Sequence, residues 1–337
     1  MDDLARRWRA LELHAAGSGQ PGSFFLSWTF LGCLAAERFG RARLLAVTQD
    51  GVDVALALLG SAGRTRFLNE TGVAAWDSVF MEHNGLLHVP EAGASLPAAL
   101  RMAGGRGRLV LSGIDDATLA AARGAGWVHV RQSRLAPCVD LQGLQGAYLE
   151  SLSGNARAQI RRSMRLYGPA LRLSRAETAA QAHDLLDEMV AVHQAAWRAR
   201  GRPGAFGERH MVAFHRALVA RAWPSGGVDL LRITAGPRHV GTLYNFIQGG
   251  RVSSYQSGFV YAEDAREKPG LVSHTLAIEH YARAGARVYD LLAGAERYKL
   301  TLASGGQTLH WAELHAPWSA GRIFTGLAAM ARRAMRT

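Results

Sequence analysis

The chain has 337 residues, 48% hydrophobic and 20% charged, which excludes a disordered, collagen-like or fibrous protein and gives room for about two domains. Its 37 arginines and 2 lysines outweigh 27 acids, and the excess is one-sided: residues 1–150 hold 14 cations and 14 acids, residues 151–337 hold 25 and 13. A field confined to the second half favours an anionic ligand there, a phosphate-bearing cofactor, a nucleic acid or a membrane surface, while Cys33 and Cys138 stand in no metal-ligand spacing.

From the N-terminus, the apolar run from Phe24 to Leu31 is too short to span a bilayer. The mixed charges before it, Asp2, Asp3 and Glu12 beside Arg6, Arg7 and Arg9, do not make the positive segment of a signal peptide, so a cytoplasmic protein is expected. Residues 24–39 read as a helix, followed by strand, turn and strand through Leu44–Thr48, Gln49-Asp50-Gly51 and Val54 onward. After a strand-like run at 78–81 comes a polar cluster, Glu82-His83-Asn84. The run Gly104-Gly105-Arg106-Gly107 leads into a strand, which does not suit a dinucleotide or Walker loop.

In the second half, residues 151–176 hold Arg157, Arg161, Arg162, Arg165, Arg172 and Arg175 and no acid. Arg157, Arg161 and Arg165 share one helical face and Ile160, Met164 and Tyr167 the other. The cationic face suits a cofactor's phosphates, a tRNA acceptor stem or acidic lipid, as well as plain solvent. His193 lies one helical turn before Trp197. Residues 208–223 read as a helix, and Leu230–Thr234 repeats the pattern of Leu44–Thr48 at an offset of 186 residues, with Val240-Gly241 matching Val54-Ala55. Helix, strand, turn and strand therefore occur twice, which predicts an internally duplicated α/β protein joined near 140–156. Next come a strand over 252–259 with Tyr255 and Gln256, a loop ending in Lys268-Pro269-Gly270, and a helix over 271–284. Strand, Pro-Gly loop and helix form an arrangement that can cradle phosphate on free helix amides. A further strand, 287–292, runs into Asp290-Leu-Leu-Ala-Gly-Ala-Glu-Arg-Tyr-Lys299, which gathers two acids, a tyrosine and one of the only lysines. Residues 321–337 form a basic amphipathic tail suited to docking on the body or resting on a membrane.

Taken together, the basic helix 153–167, His193 to Trp197 with Gly204-Ala205-Phe206, the strand pair 228–248, Pro269-Gly270 and Asp290 to Lys299 resemble the acetyltransferase-like domain of the CelD/BcsL family. That family lies in the GNAT superfamily and is related to the FemXAB peptidyltransferases; the first half is similar more loosely. The resemblance implies tandem GNAT-like mixed-sheet modules with flanking helices, at 1–140 and 141–320, followed by the tail. It implies transfer of an acyl group from acyl-CoA or an acyl-carrier protein to a small-molecule amine, in envelope polysaccharide or specialised-metabolite assembly, without a metal. Lys268, Pro269, Gly270 and Leu271 would hold the donor's pyrophosphate. Asp290 or Glu296 would act as base and Tyr298 as acid, with Lys299 and His193 as further catalytic candidates. Glu82, Asn84, Tyr255, Gln256 and Trp197 would contact substrate. A FemXAB-like donor, aminoacyl-tRNA, and an inactive scaffold holding an envelope precursor are the competing expectations. Zinc clusters, HExxH, Walker and Gly-x-Ser-x-Gly motifs are absent from the sequence, which removes the main supports of protease, NTPase and lipase readings.

Overall fold

The computed structural model describes residues 1–18, 22–39, 42–77, 81–144, 146–294 and 296–316. It divides into two compact units, Met1–Arg134 with the described residues from Thr308 on, and Leu135–Gln307. Strands β6 (Trp127–Asp140) and β12 (Gly305–His315) each run across a division. A continuous strand offers no loop or compositional break for a sequence reading to mark. The tail at 321–337 lies outside the described residues, as does the strand-like run at 78–80.

The first unit begins with α1 (Asp2–Gly17), a short 3-10 turn at Phe24–Leu26 and α2 (Trp28–Glu37). Ser27 starts α2 by accepting the Phe30 amide, so the expected helix over 24–39 is split at that cap. Strands β1 (Arg43–Gln49), β2 (Val52–Ala62), β3 (Thr65–Leu68) and β4 (Leu87–His88) follow. Helix α3 (Leu96–Gly104), β5 (Arg108–Ile114) and α4 (Asp116–Ala125) complete the unit before β6. The strands lie in the order β1-β2-β3-β5-β12, with β4 on β2.

The second unit holds α5 (Tyr148–Ser151), α6 (Gly154–Tyr167), β7 (Leu171–Arg175), α7 (Ala179–Arg198) and α8 (Arg209–Ala222). It continues with β8 (Val228–Ala235), β9 (Arg238–Gln248), β10 (Arg251–Phe259), α9 (Pro269–Arg283), β11 (Val288–Asp290) and α10 (Arg297–Leu302). Its strand order is β6-β11-β10-β9-β8-β7, antiparallel except for β10 beside β11. A core of Ile160, Leu231, Val252, Phe259, Leu271, Ile278 and Tyr289 holds α6 and α9 to the sheet.

The duplication extends to a detail that composition does not reveal. The β1/β2 ladder shifts register between Val47 and Thr48, and the β8/β9 ladder shifts between Ile233 and Thr234, the same step 186 residues later. Two irregularities position the site. Tyr255 is an extra residue in β10, since Ser254 pairs with Asn245 and Gln256 with Tyr244. The parallel pairing of β10 with β11 covers only Arg251–Ser253 against Val288–Asp290, so the nine-residue β10 runs on alone past Ser253 on that edge.

Candidate active site

Helix α9 starts where β10 has left its neighbour. Pro269 at the first helical position has no N–H to lose, and the amides of Gly270 and Leu271 precede any intrahelical carbonyl they could reach. The amide of Lys268 donates to the Ser163 hydroxyl at 2.9 Å, which ties the mouth of α9 to α6. A Cβ at Gly270 would stand 3.3 Å from the Phe259 ring, so the small residue lets the helix start close against β10.

A groove surrounds this helix start. One end, about 530 Å³, is lined by Phe259, Tyr261, Pro269, Gly270, Leu271 and Tyr298. The other, about 1070 Å³, reaches α6 and is lined by Ser153, Asn155, Arg162, Arg165 and Arg266 among others. Gln159, Ala265, Lys268, Arg297 and Thr301 line both ends, which makes them one continuous depression. Its chemistry is graded from aromatic and apolar to cationic. Among the described residues no carboxylate lines the larger end, and Glu267 at the smaller end is ion-paired with Arg238.

Tyr298 is the expected catalytic group that reaches this groove. Burial, reinforced by the charge of Glu296, pushes its hydroxyl far above the ordinary tyrosine value, so it stays protonated at neutral pH and can donate. Its ring stacks on His274 with centroids 5.5 Å apart and planes 15° from parallel. Burial, with the Lys299 charge, lowers His274 to about 3, and its Nδ1 lies 2.9 Å from the Tyr289 hydroxyl. A neutral, fully enclosed imidazole thus backs the Tyr298 ring.

Other expected site residues go elsewhere. Asp290 is fully buried on β11, paired with Arg251 at 2.6 Å, and its second oxygen accepts the Leu292 amide at 2.8 Å. Leu292 has φ of +59°, so the carboxylate braces a strained turn instead of facing the groove as a base. Glu296 is exposed and meets Lys299 at 3.3 Å, while the Lys299 ammonium also donates to the carbonyls of Leu292 and Ala293. That pair closes the same turn. His193 donates from Nδ1 to the Ser257 carbonyl at 2.9 Å and accepts the Ala205 amide on Nε2 at 3.2 Å. A carbonyl can only accept and an amide can only donate, so the tautomer is set and neither nitrogen is left to move a proton.

Trp197 packs against His193 at 5.8 Å and under Arg202 at 5.9 Å. Tyr255 points inward, stacked on Phe246 at 4.3 Å with its hydroxyl 3.3 Å from His215, and Gln256 is half-buried. In the first unit, Asn84 receives Asn69 and the Gly85 amide on its oxygen and donates to the Leu68 carbonyl. Its amide is consumed by the backbone it holds; Glu82 is buried beside it in sequence. Gln159, Phe259, Tyr261 and Arg297 are among the groove-facing residues not singled out from sequence; Arg162 and Arg165 were visible there only as part of an acid-free stretch. No group of three or more His, Cys, Asp or Glu side chains able to hold a metal occurs among the described residues, nor a helix long and apolar enough to cross a membrane.

Residues 154–300 match the acetyltransferase (GNAT) domain family, a segment that contains most of the groove's lining. No curated protein matches the chain in sequence. The fold is similar to a crystal structure of FemX over 91% of this chain and 96% of that one, with a TM-score of 0.61 and 10% identity. It is similar to L-PGS from Bacillus licheniformis over 93% of each chain, with a TM-score of 0.56 and 11% identity. A tandem GNAT protein from the clavulanic acid biosynthesis pathway is similar over 94% of this chain and 97% of that one, with a TM-score of 0.50 and 13% identity. The architecture is thus that of tandem GNAT-like modules, and the match to the acetyltransferase (GNAT) domain lies in the second.

Proposed function

We propose that the protein transfers an acyl group from a pantetheine thioester, acyl-CoA foremost, to an amine. The observation that carries this reading is the groove, which runs from the unpaired edge of β10, past the free amides of α9 and Lys268, to a cationic end. An acyl chain and pantetheine arm suit the apolar end, and the diphosphate suits the helix start, where amides and the Lys268 charge converge.

The amine nitrogen attacks the thioester carbonyl carbon, forming the C–N bond and placing charge on the carbonyl oxygen. A strand amide left outside the ladder by the Tyr255 bulge is the type of donor that this oxyanion needs. Collapse breaks the C–S bond, and the thiolate takes the proton of the Tyr298 hydroxyl. The surplus proton of the amine passes through water to the Tyr298 oxygen and restores its hydroxyl, because Asp290 is consumed by Arg251 and Glu296 by Lys299. The CelD/BcsL-like resemblance supports placing this chemistry in envelope polysaccharide or specialised-metabolite assembly, with an acyl-carrier protein as the other thioester donor.

Thermal unfolding with acetyl-CoA and longer acyl-CoAs tests the reading, since a ligand at 100 times its Kd stabilises the native state by about 2.7 kcal/mol. A midpoint rise of several degrees is expected, and no rise with any CoA ester would count against it. A second reading, an aminoacyl-tRNA donor, is favoured by the carboxylate-free cationic end and the fold similarity to FemX. A rise with tRNA alone, abolished by salt, would put that reading first.

A further inference from the structure

Away from the groove, the first unit joins three side chains from three elements. The Ser133 hydroxyl on β6 lies 2.8 Å from Nδ1 of His310 on β12, and Nε2 of that ring lies 2.9 Å from the Asp116 carboxylate in the first turn of α4. A carboxylate can only accept, so Nε2 carries the hydrogen, and in the neutral ring Nδ1 is left to accept the serine proton. The ring is buried, while Ser133 and Asp116 at its two ends are exposed. Neighbouring strands hold this arrangement. β6 lies beside β12, and Arg134 stacks over Trp311 at 5.4 Å, so the next residue on each strand makes a second contact on the opposite face and fixes the register. On the other side of β12, β5 has one residue more than its partner between the pairs Leu111–Ala312 and Ile114–His310, and Gly113 there has φ of +66°. A Cβ at Gly113 would stand 2.5 Å from the Met81 carbonyl oxygen, so glycine permits the bulge. The strand bends at that point, and two residues past Ile114 the chain presents Asp116 to the ring.

We propose that Ser133, His310 and Asp116 form a second catalytic site, which takes the acyl group of a small activated ester or thioester onto Ser133 and passes it to water. The Ser133 oxygen attacks the carbonyl carbon and forms a C–O bond while its proton moves to His310 Nδ1. The C–O bond of the ester, or the C–S bond of the thioester, breaks, and the leaving oxygen or sulfur takes that proton. Water then attacks the acyl-serine carbonyl carbon and gives one proton to Nδ1; the bond to the Ser133 oxygen breaks, and the proton returns to that oxygen. Asp116 is a positioning residue that holds the ring in the required tautomer. In the serine proteases Nε2 takes the serine proton, and here Nδ1 does, since either nitrogen is a base once the other carries the hydrogen. With the nucleophile open to solvent, the reactivity comes from the base and from the ester's own leaving group, which limits the substrates to activated esters. The site shares no residue with the groove and does not depend on the donor reading.

Treatment of the full chain with an alkyl fluorophosphonate, which loses fluoride to an activated serine, followed by peptide mass spectrometry, reads the nucleophile directly. An adduct at Ser133 is expected, formed about 10²-fold faster in wild type than in His310→Gln. Added imidazole should restore labelling to His310→Gly, which a ring of purely structural use would not allow. Asp116→Asn, whose oxygen still accepts from Nε2, should keep the labelling rate, while Asp116→Ala loses up to about five-fold, the scale of an exposed pair. Release of p-nitrophenol from p-nitrophenyl acetate should fall at least about ten-fold in Ser133→Ala. No adduct at Ser133 in wild type, or labelling spread evenly over several serines, overturns the site without need of any variant. Equal labelling of His310→Gln, or unchanged p-nitrophenol release by Ser133→Ala, overturns it as well.

Discussion

Tyr298 carries the proton of the proposed reaction, and its surroundings suit that work: an enclosed neutral His274 behind the ring and a hydroxyl that burial keeps protonated. Tyr298→Phe keeps the stack and removes the donor. Turnover should fall about 10²-fold or more while donor Kd stays within about two-fold, measured by steady-state kinetics beside titration. A parallel loss of binding would make the residue a ligand contact. Asp290→Asn should act differently, by weakening a buried pair whose loss costs about 3–5 kcal/mol, and so lower the melting midpoint of the unliganded protein. The tyrosine was legible as a polar aromatic just past a strand, but the employment of Asp290 was not. Its partner Arg251 lies 39 residues away, and cross-strand pairing leaves no local trace. His193 is the same case, since Ser257, its acceptor, is 64 residues distant. Glu296 and Lys299, three residues apart, could be read as a pair from the sequence alone.

At the scale of elements, periodicity located α6, α8, α9, β8, β9 and β10 to within one or two residues, and the repeated strand pair announced the duplication. What it missed depends on approach between elements. Arg157 and Arg161 share the cationic face of α6 with Arg165, open in the sequence to solvent or to an anion, yet Glu150, just before the helix, takes both and leaves Arg162 with Arg165 for the groove. The contact of α7 with β10 is likewise invisible in either segment. A Cβ at Gly258 would come within 2.6 Å of the Met189 carbonyl and 3.1 Å of the Val192 Cβ. Gly258→Ala should therefore push α7 off the strand that borders the groove, at a cost of about 1–3 kcal/mol, read as a lower denaturant midpoint with unchanged slope. The His193–Ser257 bond, one residue away, should loosen with it. Substituting Gly285 instead, with open space around its Cβ, controls for loss of glycine alone, although its φ of +80° adds strain.

At the scale of the whole molecule, individual buried titratable groups carry opposite pH signs: His215 and His274 one, Glu70 the other. In the second unit burial lowers His215 and His274 to about 3 from 6.5. Their neutral native forms hold full stability above pH 6.5, and it drains away as the pH falls toward 3, because the unfolded chain binds protons the native one refuses. In the first unit burial raises Glu70 to about 8 from 4.5; the Asp77 charge pushes the same way, while the Ser112 hydroxyl, donating at 2.7 Å, opposes it. Glu70 is protonated in the native state through this range, so unfolding becomes easier as the pH rises from 4.5, where the unfolded carboxyl ionises, to 8, where the native one does. Glu70→Gln keeps an acceptor for Ser112 and cannot ionise. Scanning calorimetry should find the variant and wild type melting together near pH 4.5 and the variant several degrees higher at pH 8, with the difference growing steadily between. A gap that does not change with pH would mean that Glu70 is ionised in the native unit and held by a partner. Glu70, which weakens the fold toward alkali, and His215 with His274, which weaken it toward acid, together favour the range between those limits, where activity measurements on the groove are best made.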